Sequence, residues 1–575
     1  MLSNSLVAAV LGASYVVALV LQLNPTLSLG PPRLLPLALT VGLFYAAHLT
    51  VIFYIWLVVR QVFARELFSP AWTSVSVLSW LGTAAAAAGA ALMWANLRTF
   101  ALVLPDDSVD VIVRGMLALI ASACLFIVVG QLRTQFPQRR RLWALLLVLV
   151  ACGSIAAPVA LRGRARDSLL ETRSAGALLE QVTADPPSNV TVLAIDAGSL
   201  DLITSAAADG RLPNFGRVLD AGAVMHLATI HPTSAEAVWT AVATGKLPQK
   251  NGVRSAGLYD LARGGEPLQL LPDYCFAHAL VRFGLVAEVP HTSAAFRAQP
   301  FWSILSVLGI PVGVVGWPLT QPAPAVRGYV ISDAYPRLAS TPSAIDDSSS
   351  VYPPEMKLEV ARALEFPAVA DGAAGVTTGR ETINEAPGRL DRAFDQIART
   401  VGPDHPTRVT VVRYSSLDAI GHYYLRYAMP SEFGDVTDDE RRRLGLVLES
   451  HYSFIDAAIG RAIAALGPDD LLLIVSGYGM EPLGFGKRLL EVMIGDPGLS
   501  GTHEGAPDGF LMAYGPSVAR SRLLARGSVV DFVPTLLYFL GLPIGRDMDG
   551  FARTDLFQRA YTDERPITFI PTYDR

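Results

Sequence analysis

Three residues have the side chains and the spacing of a metal centre. Asp418 and His422 stand four residues apart in the segment YSSLDAIGHYYLRY, and His503 follows a Gly-Thr pair in the later segment GTHEGAPDGF. A carboxylate and two imidazoles are ligands that a catalytic Zn²⁺ takes, with its fourth position left for water or substrate. The set predicts one tightly bound Zn²⁺ or other divalent ion. Taken alone, the three residues could also be ordinary polar side chains.

Two hydroxyl groups stand at the start of a helical pattern. Thr233 and Ser234 follow a proline in HPTSAEAVWTAVATG, and the pattern AEAVWTAVAT after them is closed by Gly245. A hydroxyl at this position is normally an N-cap that accepts a backbone N–H. The position also suits catalysis, because the N–H groups and the dipole of a helix favour a bound phosphate that a hydroxyl could attack. Both interpretations stay open on these residues alone.

Alternating strands and helices must position these side chains. Short apolar, β-branched runs recur after residue 188, and they read SNVTVLAID, IPVGVVGW, RVTVVRY, LLLIVS and GFLMAYG. Longer amphipathic patterns lie between them, such as VLESHYSFIDAAIGRAIAAL. This alternation predicts an α/β domain with a mainly parallel central sheet and helices on both faces. Asp196, Asp418 and Gly477 each follow a predicted strand, and reactive residues of such sheets gather beyond the strand ends.

Five apolar stretches precede this domain, and each approaches the roughly 20 residues that a membrane-spanning helix needs. They cover residues 5–23, 36–59, 72–95, 111–131 and 142–161. The first stretch has no basic segment before it and no clear cleavage site, so we expect it to be retained as a helix. The predicted organisation is five transmembrane helices in 1–165, a linker in 166–187, and the α/β domain in 188–575 with a cap or insert around 255–400.

The loop arginines predict an orientation in the membrane, because cytoplasmic loops carry an excess of arginine and lysine. The loops after the second and fourth helices carry the residues Arg60, Arg65, Arg133, Arg139, Arg140 and Arg141. The opposite side carries the residues Arg33, Arg98 and Arg114. This places the N-terminus inside and the C-terminal domain outside the cytoplasm. Arg162, Arg164 and Arg166 follow the fifth helix and favour the opposite orientation.

The overall composition excludes several classes of protein. The net charge is -5 and no basic tract marks the C-terminal part, so we expect no nucleic-acid partner. The chain has three cysteines, which can build neither a disulfide framework nor a cysteine zinc site. The composition leaves the oligomeric state open.

The order of several segments resembles the alkaline-phosphatase superfamily, and within it the type I phosphodiesterase/nucleotide pyrophosphatase group. In chain order these segments are IDAGSLDLI, GRLPNFGRVLDAGA, HPTSAEAVWTAVATGKLPQKNGV, LDAIGH, SGYGM, GTHEGAPDGFLMAYG and DFVPTLLYFLGLPIGRDMDG. The resemblance covers residues 188–555. The multi-helix region ahead of the domain is similar to the layout of lipoteichoic acid synthases and lipid A phosphoethanolamine transferases.

The resemblance implies two metal-binding sites, and this chain keeps the ligands of one of them. One implied site is matched by Asp418, His422 and His503. The other implies an Asp at the first strand end, matched by Asp196, a Thr or Ser nucleophile, and an Asp-His pair in a Ser-Asp-His-Gly motif. This chain reads Ser-Gly-Tyr-Gly over 476–479, so the Asp-His pair is replaced by Gly477 and Tyr478.

The implied nucleophile is also displaced in this chain. Counting back from the Thr-Gly pair at 244–245, its position falls on Ala235, and Ser234 and Thr233 stand one and two residues earlier. A bulge of one or two residues would restore either hydroxyl, and Thr233 is slightly favoured because it follows the proline.

The sequence therefore predicts a membrane-anchored, metal-dependent phosphodiester hydrolase or phosphotransferase with a reduced, one-metal site. Thr233 or Ser234 would attack phosphorus, and Asp196 would orient or deprotonate the nucleophile or bind a weak second ion. The substrate would be a phosphorylated small molecule or a lipid- or envelope-linked phosphoester. The alternative is a catalytically degenerate membrane protein of the same fold that binds a phosphorylated ligand or a partner protein.

Overall fold

The computed structural model describes residues 1–64, 73–163, 188–262, 264–335, 348–364, 388–505, 507–520 and 522–574. The predicted linker and three residues of the orientation argument, Arg65, Arg164 and Arg166, lie outside the described residues. The chain divides into two compact units. One, the helical unit, comprises Met1–Leu170 and Arg254–Pro290, and the other, the α/β unit, comprises Glu171–Val253 and His291–Arg575.

The helical unit contains five helical segments that are long and apolar enough to cross a membrane. The helices are α1 (Leu2–Leu23), α2 (Pro31–Leu37), α3 (Leu43–Ala64), α4 (Val75–Thr99), α5 (Asp106–Gln135) and α6 (Arg140–Arg162). A π-helical turn, Ala38–Gly42, joins α2 and α3 into one span. Most side chains of α1 are buried within the protein, whereas only a minority of those on each of the other spans are buried. The five predicted helices are confirmed, and they support membrane association.

Residues 254–290 fold onto the ends of these helices. Asn24, which follows α1, donates its side-chain amide to the Leu270 carbonyl at 2.9 Å and accepts the Gln269 N–H at 2.7 Å. Asn96 of α4 makes the same two-way contact with the backbone of Asp273, at 2.8 and 3.1 Å. These backbone groups would otherwise need water, so the two asparagines fix the segment to the helical unit.

An apolar core joins the same segment to the helices. Buried residues of α1 and of the α2–α3 span, including Val20 and Val41, pack in one cluster with Leu261, Leu268 and Leu280 of the segment. The range 254–290 therefore groups with the membrane helices, although the sequence places a cap or insert of the α/β domain around 255–400.

Arg162 binds the C-terminal end of α1 and the turn that follows it. Its guanidinium donates to the carbonyls of Leu21, Asn24 and Leu27, at 2.7, 2.9 and 2.6 Å. The last carbonyls of a helix have no partner within the helix, and Arg162 satisfies that of Leu21, together with two carbonyls of the turn after α1. Because the side chain is buried and used in this way, it is not a free loop charge in the orientation argument.

The strands are, in chain order, β1 (Val190–Ile195), β2 (Ala223–Ala228), β3 (Gly257–Leu261), β4 (Val286–Pro290), β5 (Val312–Val315), β6 (Gly328–Ile331), β7 (Val351–Tyr352), β8 (Val409–Tyr414), β9 (Leu471–Tyr478), β10 (Glu481–Pro482), β11 (Gly501–Thr502), β12 (Asp508–Tyr514), β13 (Arg522–Leu523), β14 (Gly527–Ser528), β15 (Ile544–Gly545) and β16 (Phe569–Ile570). Strands β3 and β4 form an antiparallel pair in the helical unit, with the short helix Ala279–Arg282 between them in the chain.

The α/β unit is built on a ten-stranded sheet with the order β13-β2-β12-β9-β1-β8-β5-β6-β7, and β14 also pairs with β2. The inner strands β9, β1, β8, β5 and β6 are parallel, whereas β12 is antiparallel to both β9 and β2. Strand β9 is buried throughout, as expected of a central strand covered on both faces. This architecture confirms the predicted α/β fold with a mainly parallel sheet.

The helices of this unit are Leu200–Ala208, Pro213–Ala221, Ala235–Thr244, Pro248–Asn251, Phe301–Val307, Lys357–Leu364, Arg389–Val401, Ser416–Ala428, Pro430–Phe433, Asp438–Leu444, Leu446–Ala465, Phe485–Ile494, Phe532–Phe539 and Arg559–Asp563. Strands β5 and β6, from within the range predicted as a cap or insert, belong to the central sheet.

Strand direction brings the predicted site residues to one edge of this sheet. The parallel strands β1, β8 and β9 end there, and the antiparallel strand β12 begins there, since Asp508 pairs with Tyr478. Strand β2, antiparallel to β12, also ends at this edge. The segments that follow β1, β2 and β8 therefore meet the segment that precedes β12.

Candidate metal centre

Asp418 and His422 lie on the helix Ser416–Ala428, which begins directly after β8. A spacing of four residues places two side chains on the same face of a helix. The Nε2 atom of His422 lies 3.7 Å from Oδ2 of Asp418. One helix therefore supplies two of the three predicted ligands.

His503 completes the cluster from the loop between β11 and β12. Its Nε2 atom lies 3.7 Å from Oδ1 of Asp418, and its ring centroid lies 5.0 Å from that of His422. The candidate ligand atoms of the three residues all lie within 4.8 Å of one another. The structure therefore brings the three predicted residues together.

Hydrogen bonds orient both imidazoles with Nε2 toward Asp418. Nδ1 of His422 lies 2.8 Å from the Gly501 carbonyl, and Nδ1 of His503 lies 3.1 Å from the Thr233 carbonyl. A carbonyl only accepts, so each Nδ1 carries a proton and Nε2 is the ring atom that is placed to bind a metal. This arrangement is usual for histidines that bind metals.

The charge states of these groups also suit a cation. Burial lowers the pKa of His503, which favours its neutral form, and the charge of Asp418 only partly opposes this effect. Oδ1 of Asp418 is buried and has no hydrogen-bond partner among the described residues. Such an oxygen normally has a partner, and a divalent ion would supply one. The donor set of two imidazoles and a carboxylate fits Zn²⁺.

The two candidate nucleophiles lie beside this cluster. Thr233 is buried, donates its hydroxyl to the Ile230 carbonyl at 3.0 Å, and lies 3.3 Å from Nδ1 of His231. Ser234 is the N-cap of the helix Ala235–Thr244 and accepts the Ala237 N–H at 3.3 Å. The N-cap interpretation therefore holds for Ser234, while Thr233 is the residue bonded through its backbone to a candidate metal ligand.

Asp196 is engaged by an arginine that the sequence did not single out. Nε of Arg413 donates to Oδ1 of Asp196 at 2.8 Å and Nη2 donates to Oδ2, with both side chains buried. Burial raises the pKa of Asp196 to about 6, against the opposing effect of Arg413. Burial also disfavours the charge of Arg413, but Asp196 outweighs it and holds the pKa of the guanidinium above its usual value.

Glu236 is a second residue that the sequence analysis missed. It stands in the first turn of the helix Ala235–Thr244. Burial raises its pKa to about 7, with Asp196 and Asp418 adding to the effect and Arg413 opposing it. Its place directly after Ala235, the implied nucleophile position, could have pointed to a role in the site. Acidic residues are, however, common in first helical turns for electrostatic reasons alone.

The comparison with known protein families gives one match. The sequence model of a family described as "Type I phosphodiesterase / nucleotide pyrophosphatase" matches residues 190–514, which is more than half of the chain.

The chain belongs to the type I phosphodiesterase/nucleotide pyrophosphatase family.

This membership confirms the predicted resemblance, and together with the five apolar helices it supports a membrane phosphodiester hydrolase. Among solved structures, murine ectonucleotide pyrophosphatase/phosphodiesterase 5 is similar to this chain, with 12% sequence identity and a TM-score of 0.39. The alignment covers 64% of this chain and 100% of the murine chain. A search of curated proteins gives no match to this chain.

The part of the site implied to hold a second metal differs in this family member. Gly477 offers no ligand atom, and a Cβ at this position would lie 2.5 Å from Cγ1 of Val238. Tyr478 is fully buried, and its hydroxyl has no hydrogen-bond partner among the described residues. Burial raises the pKa of Tyr478 well above its usual value, so the hydroxyl stays a neutral phenol and a poor ligand. With both oxygens of Asp196 bound to Arg413, these residues do not fit a second metal ion.

The start of the helix Ala235–Thr244 shows a second departure. The helix is regular from its N-cap, Ser234, to its left-handed C-cap, Gly245. Ala235 therefore keeps the position that the resemblance implies for the nucleophile. The roles of Thr233 and Ser234 stay a prediction.

Proposed function

We propose that the chain is a membrane-anchored, metal-dependent phosphodiester hydrolase that works with one resident divalent ion, Zn²⁺ by its donor chemistry. The observation that carries this proposal is the orientation of the cluster. Both Nε2 atoms and an unpartnered oxygen of Asp418 face one another, while carbonyls of Gly501 and Thr233 hold the imidazoles in place. A cluster with no ligand has no need of this arrangement.

Asp418, His422 and His503 would hold the ion, and its chemistry there is Lewis-acid stabilisation of a phosphoryl oxygen. In the proposed reaction, the Thr233 hydroxyl attacks phosphorus and the bond to the leaving alcohol breaks. For the attack the hydroxyl turns from the Ile230 carbonyl to Nδ1 of His231, 3.3 Å away, which takes its proton and passes it to the leaving oxygen. Backbone N–H groups at the start of the helix Ala235–Thr244 stabilise the developing negative charge. Water then attacks the phosphothreonine and restores the hydroxyl.

The membrane helices favour a substrate that lies at a membrane. A lipid- or envelope-linked phosphodiester is the proposed class, and a phosphorylated small molecule is the alternative. If an alcohol replaced water in the second step, the same residues would catalyse phosphoryl transfer. Product analysis separates hydrolysis from transfer, because only hydrolysis incorporates oxygen from labelled water.

The orientation follows from the loop arginines. Five of them, Arg60, Arg133, Arg139, Arg140 and Arg141, are in described segments on the side proposed as cytoplasmic. Arg162 is bound to carbonyls of α1, which removes one of the residues that favour the opposite orientation. We therefore place the α/β unit outside the cytoplasm.

A second candidate function has its own observation. Ala235, in a regular helix, occupies the position where the resemblance implies a nucleophile. Gly477 occupies a position where the resemblance implies a metal ligand. Both changes favour a scaffold that binds a phosphorylated ligand without cleaving it.

Metal analysis and a hydrolysis assay on the purified full chain separate the two functions. The hydrolase should contain one Zn²⁺ per chain and cleave bis(p-nitrophenyl) phosphate. His422→Ala should lose both the ion and the activity, whereas Tyr478→Phe should keep the ion. A chain that binds the ion but cleaves no phosphoester would support the scaffold. A chain that binds no supplied metal would contradict the hydrolase.

The nucleophile is tested with Thr233→Ala, Ser234→Ala and the double variant. We expect Thr233→Ala to abolish turnover and Ser234→Ala to reduce it slightly, since Ser234 serves as the N-cap. Full activity in the double variant would mean that no hydroxyl attacks and that water reacts directly.

A further inference from the structure

The Arg413–Asp196 ion pair stands where the family resemblance implies a second metal. Asp196 matches the first ligand of that site, yet both of its carboxylate oxygens accept hydrogen bonds from Arg413. The guanidinium is also held from other directions, by the Gly316 carbonyl at 3.3 Å from Nη1 and by the Trp239 ring, 5.9 Å from Cζ. A cation is therefore already fixed at this carboxylate.

The surrounding residues offer a second ion no ligands. Any side chain at Gly477 would meet Val238 of the helix Ala235–Thr244. Ser476 is used structurally, because its hydroxyl accepts the Gly198 N–H at 3.0 Å and donates to the Tyr478 carbonyl at 2.9 Å. The ligands that a second ion would need are thus absent, bound or blocked.

We propose that the guanidinium of Arg413 is a built-in cation that replaces the second metal of this family. The inference rests on the proposed function. An arginine is charged at every physiological pH and is weakly hydrated, so it suits a buried site. Asp196 and Gly316 use three of its five N–H donors, which leaves donors for a phosphoryl oxygen of the substrate. Asp196 is then a positioning residue for Arg413 and not a metal ligand.

Metal content tests this assignment directly. Asp196→Asn should keep one Zn²⁺ per purified chain, with an unchanged affinity in a competition titration against a chromophoric chelator. His422→Ala is the control that should lose the ion. Loss of the ion in Asp196→Asn would overturn the inference while leaving the one-metal hydrolase standing. A wild-type chain with no metal would instead overturn the proposed function.

A rebuilt second site gives a complementary test. Val238→Ala, Gly477→Asp and Tyr478→His together restore the space and the implied ligands but keep Arg413. This triple variant should still bind one ion, and adding Arg413→Ala should allow a second. Two ions in the triple variant would show that Arg413 does not exclude a metal. If the variants do not fold, as seen by circular dichroism, the Asp196→Asn measurement alone decides.

An independent observation concerns exposed aromatic side chains in the helical unit. Tyr274, Phe276 and Phe283, here named the aromatic patch, are 66%, 69% and 65% exposed. Tyr274 and Phe276 have positive φ angles of 62° and 57°, which bulky residues rarely adopt. Cys275 between them is held by Tyr45, whose hydroxyl donates to the Cys275 carbonyl at 3.0 Å. The backbone is therefore fixed with both rings on the outside.

Contacts with the membrane helices set the depth of the aromatic patch. Thr99, the last residue of α4, donates to the Tyr274 hydroxyl at 3.1 Å. The ring of Phe283 lies 6.3 Å from that of Phe44. Helix α4, with 25 residues, is longer than the ~20 residues that cross the hydrocarbon, so Thr99 at its end and the Tyr274 bonded to it lie at a membrane boundary.

We infer that the aromatic patch inserts into the boundary between lipid headgroups and acyl chains. Aromatic side chains are enriched at this level of membrane proteins. Lipid is the favoured occupant because the patch continues the exposed apolar surface of the helices that it contacts. The inference is independent of the enzymatic proposal.

Photo-crosslinking tests the lipid contact. p-Benzoylphenylalanine replaces Phe276 or Phe283 in the full chain, which is placed in nanodiscs of phosphatidylcholine and phosphatidylglycerol and irradiated. Mass spectrometry should find lipid adducts at both positions, as at the control position Leu145, an exposed residue of α6. Adducts no more frequent than at Phe551, an exposed residue of the α/β unit, would overturn the inference. Crosslinked dimers without lipid adducts would also overturn it and would indicate a second copy of the chain.

Discussion

At the scale of single residues, the buried pair of Arg413 and Asp196 makes a clear prediction about stability. Removing one partner of a buried ion pair leaves an uncompensated charge and typically costs about 3–5 kcal/mol. Arg413→Met should lower the free energy of unfolding by about this amount, whereas Arg413→Met combined with Asp196→Asn should cost less than the sum of the single changes. Denaturant unfolding of the four proteins measures this coupling.

The exposed pair of Arg526 and Asp508 is the control, since Arg526 is 64% exposed and such pairs contribute little. Arg526→Met should cause a much smaller loss than Arg413→Met. Equal losses for the two arginines would contradict the view that burial makes the Arg413 pair important.

Glu236 makes a second prediction at this scale, about pH. Its pKa is raised from 4.5 to about 7, so between these values the folded protein holds a proton that the unfolded chain has lost. Stability should therefore fall as pH rises through this window. Glu236→Gln has no proton to lose, so its stability advantage over the wild type should grow from pH 4.5 to 7 and then level off. Thermal unfolding of the EDTA-treated proteins measures the difference, and parallel pH curves would refute the assignment.

At the scale of elements, the metal ligands depend on how their helix is fixed. Asp391 is fully buried, and it accepts the N–H groups of Ser415 and Ser416 at 2.7 and 3.0 Å and bonds to His451 at 2.8 Å. Ser416 is the first residue of the helix that carries Asp418. Asp391 therefore fixes the start of this helix, although it does not touch the predicted ion.

Asp391→Ala should lower both stability and metal affinity. Leaving buried donors unsatisfied costs about 1–3 kcal/mol, and loss of a supporting contact behind a metal ligand costs roughly 10-fold or more in affinity. Asp456→Ala is the matched control, because Asp456 accepts the N–H groups of Asn214 and Phe215 at the start of a helix without ligands. Its stability should fall similarly, with unchanged metal affinity. Equal metal affinities in the two variants would show that Asp391 does not position the site.

The sequence predicted the elements well but not the contacts between distant segments. Hydrophobic periodicity reports burial, which is why the five membrane helices and the strands around Asp196 and Asp418 were recognisable. The same periodicity does not indicate which distant residues contact each other. Arg413 lies within a predicted strand and forms hydrogen bonds with Asp196, which is 217 residues away in the chain. Asn24 meets Leu270 over 246 residues. Such pairs depend on strand order and helix packing, which one sequence does not reveal.

At the scale of the whole molecule, the orientation of the chain decides which compartment the site can serve. The bound state of Arg162 weakens the evidence for a cytoplasmic α/β unit, since a residue that caps α1 from within the protein is not a loop charge. The predicted arrangement places the exposed residue Arg140, at the start of α6, in the cytoplasm. It places Asp439 of the α/β unit, 63% exposed at its side chain, outside.

Cysteine labelling in membrane vesicles checks this arrangement. Asp439→Cys and Arg140→Cys are made separately in a chain whose native cysteines, Cys124, Cys152 and Cys275, are replaced by serine. A membrane-impermeant maleimide should label Asp439→Cys in right-side-out vesicles and Arg140→Cys only in inverted ones, because each probe is accessible from one side. Detergent should make both positions reactive, which controls for folding and burial. The opposite pattern would place the α/β unit in the cytoplasm and would exclude an envelope-linked substrate for this site.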